Sequence, residues 1–115
     1  MRDLRSLLTR GEVAVIGLAR SGVAAATLAA REGAKLYASD AAPRPAREPL
    51  APDAPDPLVA LGVDTEWGGH DLDRIAKAAL VIVSTGVPPQ APAVVAARDA
   101  GVPVIEIGDF TGFPE

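Results

Sequence analysis

Hydrophobic residues follow two different patterns along the first forty positions. Val13–Ile16 is a short apolar run rich in β-branched residues, which is typical of a buried strand. Residues 21–32 are rich in Ala and Leu and precede Gly33, a pattern typical of a helix that ends at a C′ glycine. Residues 35–39 are predicted to form a second strand that ends at Asp40. The pattern therefore predicts a strand–helix–strand unit with a right-handed crossover.

The second half of the chain repeats this alternation. Residues 79–84 form a mostly apolar run with no polar face, which predicts a strand inside a parallel sheet. Residues 63–66 alternate apolar and polar positions, which predicts a strand at the sheet's edge. The other predicted elements are helices over residues 57–61, 71–78 and 92–100 and a last strand over residues 102–107. Together they predict an α/β fold, a Rossmann-like doubly wound parallel sheet of about five strands in a single domain.

Two segments fall outside the alternation. Residues 41–57 contain six prolines, which a helix interior or a central strand does not accommodate, so they are predicted to form an irregular surface loop. Residues 108–115 contain two glycines and one proline and are predicted to be a boundary tail. The predicted domain therefore covers residues 1–107.

Composition removes several classes of function. The chain has 115 residues, enough for one domain, and 49% of them are hydrophobic. A net charge of −4 disfavours binding to nucleic acid or to anionic membranes. The absence of cysteine and the single histidine exclude disulfides, a thiolate nucleophile and a Cys- or His-based metal cluster. No apolar run approaches the ~20 residues of a membrane span, and no signal-peptide core is present, so we expect a cytoplasmic protein.

Three segments are predicted to meet where a doubly wound sheet binds ligands, at the carboxyl ends of its strands. They are residues 17–22, 39–40 and 84–89. In the first, Gly17 permits a sharp turn and Gly22 permits close packing of the helix on the sheet. The backbone N–H groups of Arg20, Ser21 and Gly22 then lie at a helix N-terminus, which suits a phosphate. The alternative is an ordinary strand-to-helix turn with a serine cap.

Asp40 ends the second predicted strand, where a carboxylate can accept hydrogen bonds from a nucleoside. It would accept from ribose hydroxyls in an NAD site or from a base N–H elsewhere; alternatively, it caps the following turn. Ala19 occupies the position where a dinucleotide site requires glycine, which argues against NAD.

Ser84, Thr85 and Gly86 follow the predicted interior strand, and Gly86 permits close approach of the backbone to a ligand. A turn that only redirects the chain explains them equally well. His70 follows two glycines and could touch a ligand, although a single histidine in a loop is more often structural. Trp67 is predicted to pack against the core.

No GxxxxGK[ST] phosphate loop and no nucleophile-elbow motif is present, so the sequence predicts no ATP site, catalytic residue or metal site. We expect the 115-residue chain alone to catalyse no reaction.

The ordered set of segments resembles the N-terminal domain of the Mur ligases, above all the MurD type, UDP-N-acetylmuramoyl-L-alanine:D-glutamate ligase. The likeness runs from residue 10 to about residue 107, and its specificity lies in the order of the motifs. The matching segments are residues 15–22 (VIGLARSG), 38–40 (ASD), 68–72 (GGHDL), 79–88 (ALVIVSTGVP) and 96–105 (AARDAGVPVI).

The resemblance implies a domain that holds the UDP part of UDP-N-acetylmuramoyl-L-alanine. ATP, Mg and D-glutamate would be handled by other domains of a full-length ligase, which phosphorylates the substrate's carboxylate and forms an amide. It implies diphosphate contacts from the backbone at residues 20–22, a uracil contact from Asp40, and a nucleotide-side turn at residues 84–86. Ala19, Thr85 and the pair Ala41–Ala42 depart from the family's pattern.

Three functions follow from these patterns. The first is the UDP-substrate-binding domain of a peptidoglycan ligase. The second is a stand-alone regulatory module of Rossmann type that binds NAD(P) or another nucleotide. The third is a scaffold of the same fold that has kept no ligand.

Overall fold

A computed structural model of the chain describes residues 10–18, 20–42, 57–84 and 86–106, apart from the side chains of Arg20, Ser21 and Pro57. Most of the predicted proline-rich loop and the predicted tail 108–115 lie outside the described residues. Ala19 and Thr85 also lie outside them.

The described residues form one parallel sheet of five strands in the order β3-β2-β1-β4-β5. The strands are β1 (Val13–Ile16), β2 (Leu36–Asp40), β3 (Asp64–Trp67), β4 (Leu80–Val83) and β5 (Val104–Glu106). The predicted doubly wound α/β sheet is confirmed. The predicted edge position of β3 and the interior position of β4 are confirmed as well.

Helices cover both faces of the sheet. They are α1 (Arg20–Arg31), α2 (Pro57–Ala60), α3 (Leu72–Ala76) and α4 (Pro92–Asp99). Every predicted helix is present, and no end differs from the prediction by more than two residues. Asp71, predicted to lie inside α3, is its N-cap, and its side chain accepts from the Arg74 N–H at 3.1 Å. None of the described helices is long and apolar enough to cross a lipid bilayer.

Alternation along the strands divides the hydrophobic core into two layers. Val13 and Val15 of β1 face α1 and α2, where small alanines of α1 let the helix approach the sheet closely. Ala14 and Ile16 face α3 and α4. Trp67 packs against the α1 layer, as predicted, and its Nε1 is buried without a hydrogen-bond partner among the described residues.

The strand order places a topological switch point between β1 and β4. The chain passes from β1 through α1 to β2 on one side, whereas β4 lies on the other side of β1. Ile16 pairs with Ser39 of β2 and with Val83 of β4, so the three strands end at nearly the same level. The residues that follow them, including Gly17 and Ser84, therefore meet at one edge of the sheet, where this fold binds ligands.

Candidate functional site

A cavity of about 440 Å³ opens at this switch point. Residues that follow β1, β2 and β4 line it together with the start of α4. They are Ile16, Gly17, Asp40, Ala41, His70, Ser84, Gly86, Val87, Pro88, Ala91 and Pro92. Its volume is within the range of small-molecule sites, and most of its wall is apolar with a few polar side chains, as is usual for such sites.

Gly17 and Gly22 hold α1 against the end of β1. Gly17 has φ +94°, and a Cβ there would stand 2.7 Å from the Cβ of Ser84. A Cβ on Gly22 would stand 1.8 Å from the carbonyl oxygen of Gly17. No side chain fits at either position. The first turn of α1 is thereby fixed at the ligand edge, with N–H groups that have no partner within the helix.

Asp40 accepts hydrogen bonds from backbone N–H groups with both of its carboxylate oxygens. Its Oδ2 accepts from the Leu18 N–H at 2.7 Å, and its Oδ1 accepts from the Ala42 N–H at 2.9 Å. Both alternatives raised by the sequence, a turn cap and a ligand acceptor, are compatible with this geometry, because a carboxylate has about four lone-pair sites. Asp40 also lines the cavity, so a lone pair remains for a ligand donor.

The turn after β4 contributes the buried hydroxyl of Ser84 and the uncrowded backbone of Gly86 to the cavity. Ser84 is 2% exposed, and its N–H donates to the Ile16 carbonyl at 2.9 Å, which fixes it beside Gly17. Gly86 has φ +92°, and no described atom lies within 4 Å of the place a Cβ would take. Its backbone conformation, and not crowding by the protein, is therefore what requires glycine there.

His70 lines the cavity, which the sequence alone did not establish. Its Nδ1 lies 2.6 Å from Oγ of the fully buried Ser39. Burial lowers the pKa of the His70 imidazole, although the carboxylates of Asp40 and Glu66 act in the opposite direction. Ser39 is not a nucleophile, since a hydroxyl with no exposed surface cannot reach a substrate.

The segment that carries His70 is fixed by polar contacts to β2. The Gly68 and Gly69 N–H groups donate to the Asp40 carbonyl at 2.9 and 3.1 Å, and the Asp71 N–H donates to Tyr37 Oη at 2.8 Å. The Tyr37 hydroxyl donates in turn to Glu66 at 2.5 Å. Burial, followed by this contact with Glu66, raises the pKa of Tyr37.

A network of hydrogen bonds from Arg74 holds α3 against the face of the sheet that carries Tyr37. The Arg74 guanidinium binds Glu12 through two hydrogen bonds of 2.6 Å and Asp64 through a third of 2.6 Å. It also lies over the Tyr37 ring, 4.3 Å from the centroid. Sequence inspection missed this network because Arg74 and Glu12 are 62 positions apart, and neither residue stands in a recognisable motif.

The charges around the cavity favour a ligand whose enclosed part is uncharged. Asp40 is an acidic side chain in the wall, and no Lys or Arg is found among the described lining residues. The described residues also contain no group of three His, Cys, Asp or Glu placed to hold a metal ion. Of the predicted site residues, the structure brings Gly17, Asp40, Ser84 and Gly86 to the cavity, with Gly22 packed directly behind Gly17.

Comparisons with a family model, with related sequences and with a solved structure all identify similarity to Mur ligases. Residues 11–106 match the family model described as "Mur ligase MurD-like, N-terminal domain". That match covers all five strands and four helices named above, and it includes the glycine turn, the end of β2 and the turn after β4.

Several relatives carry the name UDP-N-acetylmuramoylalanine–D-glutamate ligase. The protein of Anaeromyxobacter dehalogenans is 44% identical over 92 residues, which are 80% of this chain and 19% of the relative. That of Chlorobaculum tepidum is 41% identical over 97 residues, 84% of this chain and 19% of the relative. That of Acidobacterium capsulatum is 39% identical over 94 residues, 82% of this chain and 20% of the relative. The chain thus matches about a fifth of the length of these ligases.

A solved structure has the same fold. The crystal structure of UDP-N-acetylmuramate:L-alanyl-gamma-D-glutamyl-meso-diaminopimelate ligase from Neisseria meningitides superposes with a TM-score of 0.60 at 20% identity. The match covers 84% of this chain and 28% of that one.

Proposed function

This chain belongs to the family of MurD-like N-terminal domains of Mur ligases, and on that basis we propose that it binds the UDP part of UDP-N-acetylmuramoyl-L-alanine. In a full-length ligase it would present this substrate to domains that use ATP, Mg and D-glutamate. The observation that carries the proposal is the apolar cavity at the switch point, with Asp40 in its wall and the first turn of α1 beside it.

The uracil base occupies the cavity in this proposal. Val87, Pro88 and Ala91 offer an apolar wall against which a planar base can pack. Asp40 supplies an acceptor for the base N–H, and its negative charge disfavours a phosphate in the same space.

The diphosphate binds outside the cavity, at the first turn of α1. The N–H groups of Arg20, Ser21 and Gly22 have no partner within the helix, and the positive end of the helix dipole adds to their effect. The crowding of Gly22 against Gly17 supports this assignment, because it fixes the turn before any ligand arrives.

The chain's own role is to bind and orient. It contributes backbone donors for the diphosphate, an acceptor for the base and a wall that excludes water. Phosphorylation and amide formation take place on other domains of the ligase in this proposal. We also propose a cytoplasmic location, as expected for a ligase that acts on a UDP-linked peptidoglycan precursor.

Titration calorimetry of the 115-residue chain tests the proposal with UDP, uridine and NAD. UDP is expected to bind at least tenfold more tightly than uridine, because only UDP engages the N–H groups of α1. Added salt should narrow the difference between the UDP and uridine affinities if the charge of the Arg20 guanidinium contributes to diphosphate binding. NAD should bind weakly. Equal affinities for UDP and uridine would contradict the diphosphate assignment, and tight NAD binding would favour a dinucleotide-binding module instead.

A further inference from the structure

His70 has one polar atom left for a ligand. Its Nδ1 is held by Ser39, which is fully buried beneath the cavity's edge. Nε2 lies on the other side of the ring, and no described residue is hydrogen-bonded to it. His70 nevertheless lines the cavity. A partly buried imidazole with one nitrogen fixed and the other available is suited to a directional contact.

The Asp40 carboxylate by itself does not match the whole hydrogen-bonding edge of uracil. Asp40 is acceptor-only when ionised, so it can pair with an N–H of a base but not with a ring carbonyl. The edge of uracil carries an N–H between two carbonyl oxygens, whereas cytosine has an acceptor nitrogen next to an amino group. A complete match to uracil therefore needs a donor close to Asp40.

We propose that His70 supplies this donor and selects uracil over cytosine. Its Nε2–H would pair with the ring carbonyl that cytosine replaces by an amino group, next to the N–H from which Asp40 accepts. The inference rests on the proposed function, since it assigns a further residue to the same site. His70 follows β3, beside the end of β2 that carries Asp40, and the backbone N–H of Gly69 donates to the Asp40 carbonyl. The two side chains are thus fixed in one small unit.

The protonation state of His70 fits the role. Burial lowers the pKa of the imidazole despite the carboxylates of Asp40 and Glu66, which favours the neutral ring near pH 7. The contact between Nδ1 and the Ser39 hydroxyl is compatible with a neutral ring that accepts at Nδ1 and carries its proton on Nε2. The contacts that fix residues 68–71, including Asp71 to Tyr37, hold the ring in place before the ligand binds.

Two variants of His70 separate the roles of its ring nitrogens. His70→Asn keeps a polar group near Ser39 but does not reach the position of Nε2, whereas His70→Gln places an amide near that position. UDP and CDP are titrated against both variants and the unmutated chain. We expect His70→Asn to weaken UDP binding about tenfold and to change CDP binding less than twofold. His70→Gln should stay within about threefold of the unmutated chain for UDP.

A second measurement does not depend on the variants folding. Because the chain has a single histidine, the ¹⁵N signals of its ring belong to His70 without further assignment. In the UDP complex they should report a neutral ring protonated at Nε2. A complex protonated at Nδ1, or UDP affinity unchanged in a folded His70→Asn variant, would overturn the inference and leave the proposed function standing. If the unmutated chain bound neither UDP nor uridine, the proposed function would fail and this inference with it.

Discussion

The backbone N–H of Leu18 donates to Oδ2 of Asp40 at 2.7 Å, across 22 positions of sequence. Leu18 belongs to the turn between β1 and α1, and Asp40 is the last residue of β2. The other carboxylate oxygen accepts from the Ala42 N–H at 2.9 Å. One side chain thus joins the proposed diphosphate turn to the wall of the proposed base cavity, and its substitution affects both.

Asp40→Asn is expected to weaken UDP binding by about ten- to a hundredfold and to lower the free energy of unfolding by about 1–3 kcal/mol. Asparagine keeps one acceptor oxygen but turns an NH₂ donor toward either the Leu18 or the Ala42 N–H. Calorimetry and urea denaturation measure the two effects. Asp99→Asn, an exposed residue at the end of α4, is the matched control and should change neither appreciably. Unchanged UDP affinity in Asp40→Asn would remove this residue from the site.

Gly22→Ala is expected to lower the free energy of unfolding by about 3 kcal/mol or more, because the new methyl group would lie 1.8 Å from the Gly17 oxygen. The backbone on both sides would have to move. Gly11→Ala is the control, since a Cβ there meets only the Ala79 Cβ at an ordinary 3.5 Å. Thermal and urea unfolding compare the two variants. Equal stability would mean that α1 is not packed as closely as described.

Arg74→Gln is expected to cost about 1–2 kcal/mol, because Glu12, whose side chain is only 17% exposed, loses both of its hydrogen bonds to the guanidinium. Arg98→Gln removes a 3.9 Å contact with Glu106 between two side chains that are more than half exposed. That control should cost less than about 0.5 kcal/mol. Chemical denaturation of both variants at one pH provides the comparison. Similar losses would show that the network adds nothing beyond a surface ion pair.

The pKa of His70 predicts how stability depends on pH. Because folding lowers this pKa below 6.5, the neutral ring's contribution is complete above pH 6.5 and is lost as the pH falls through the lowered value. The unmutated chain should therefore lose more stability between pH 7.5 and pH 5 than His70→Gln does. Denaturation curves recorded across this range test the difference. Parallel losses would mean that folding does not disfavour the charged ring.

The secondary-structure elements and the type of sheet followed from local patterns in the sequence. Apolar β-branched runs such as Leu80–Val83 are typical of strands that are buried on both faces of a parallel sheet, and the Ala-rich sequence of α1 favours a closely packed helix. These are local properties of pattern and propensity, so they were predictable to within one or two residues. Gly17, Asp40 and Ser84 were also predictable as neighbours, because parallel strands end at one edge.

The contacts between these residues, in contrast, depend on the folded arrangement of the strands. Sequence spacing left open whether Asp40 caps its own turn or reaches a ligand, and the fold shows it holding Leu18 while it lines the cavity. It also brought His70 onto Ser39, 31 positions away. Such contacts depend on strand order and register, which set distances between segments that no local pattern records. The helices and strands of this protein are therefore predictable from its local sequence, whereas the hydrogen-bonded geometry of its cavity forms only when the strands pair.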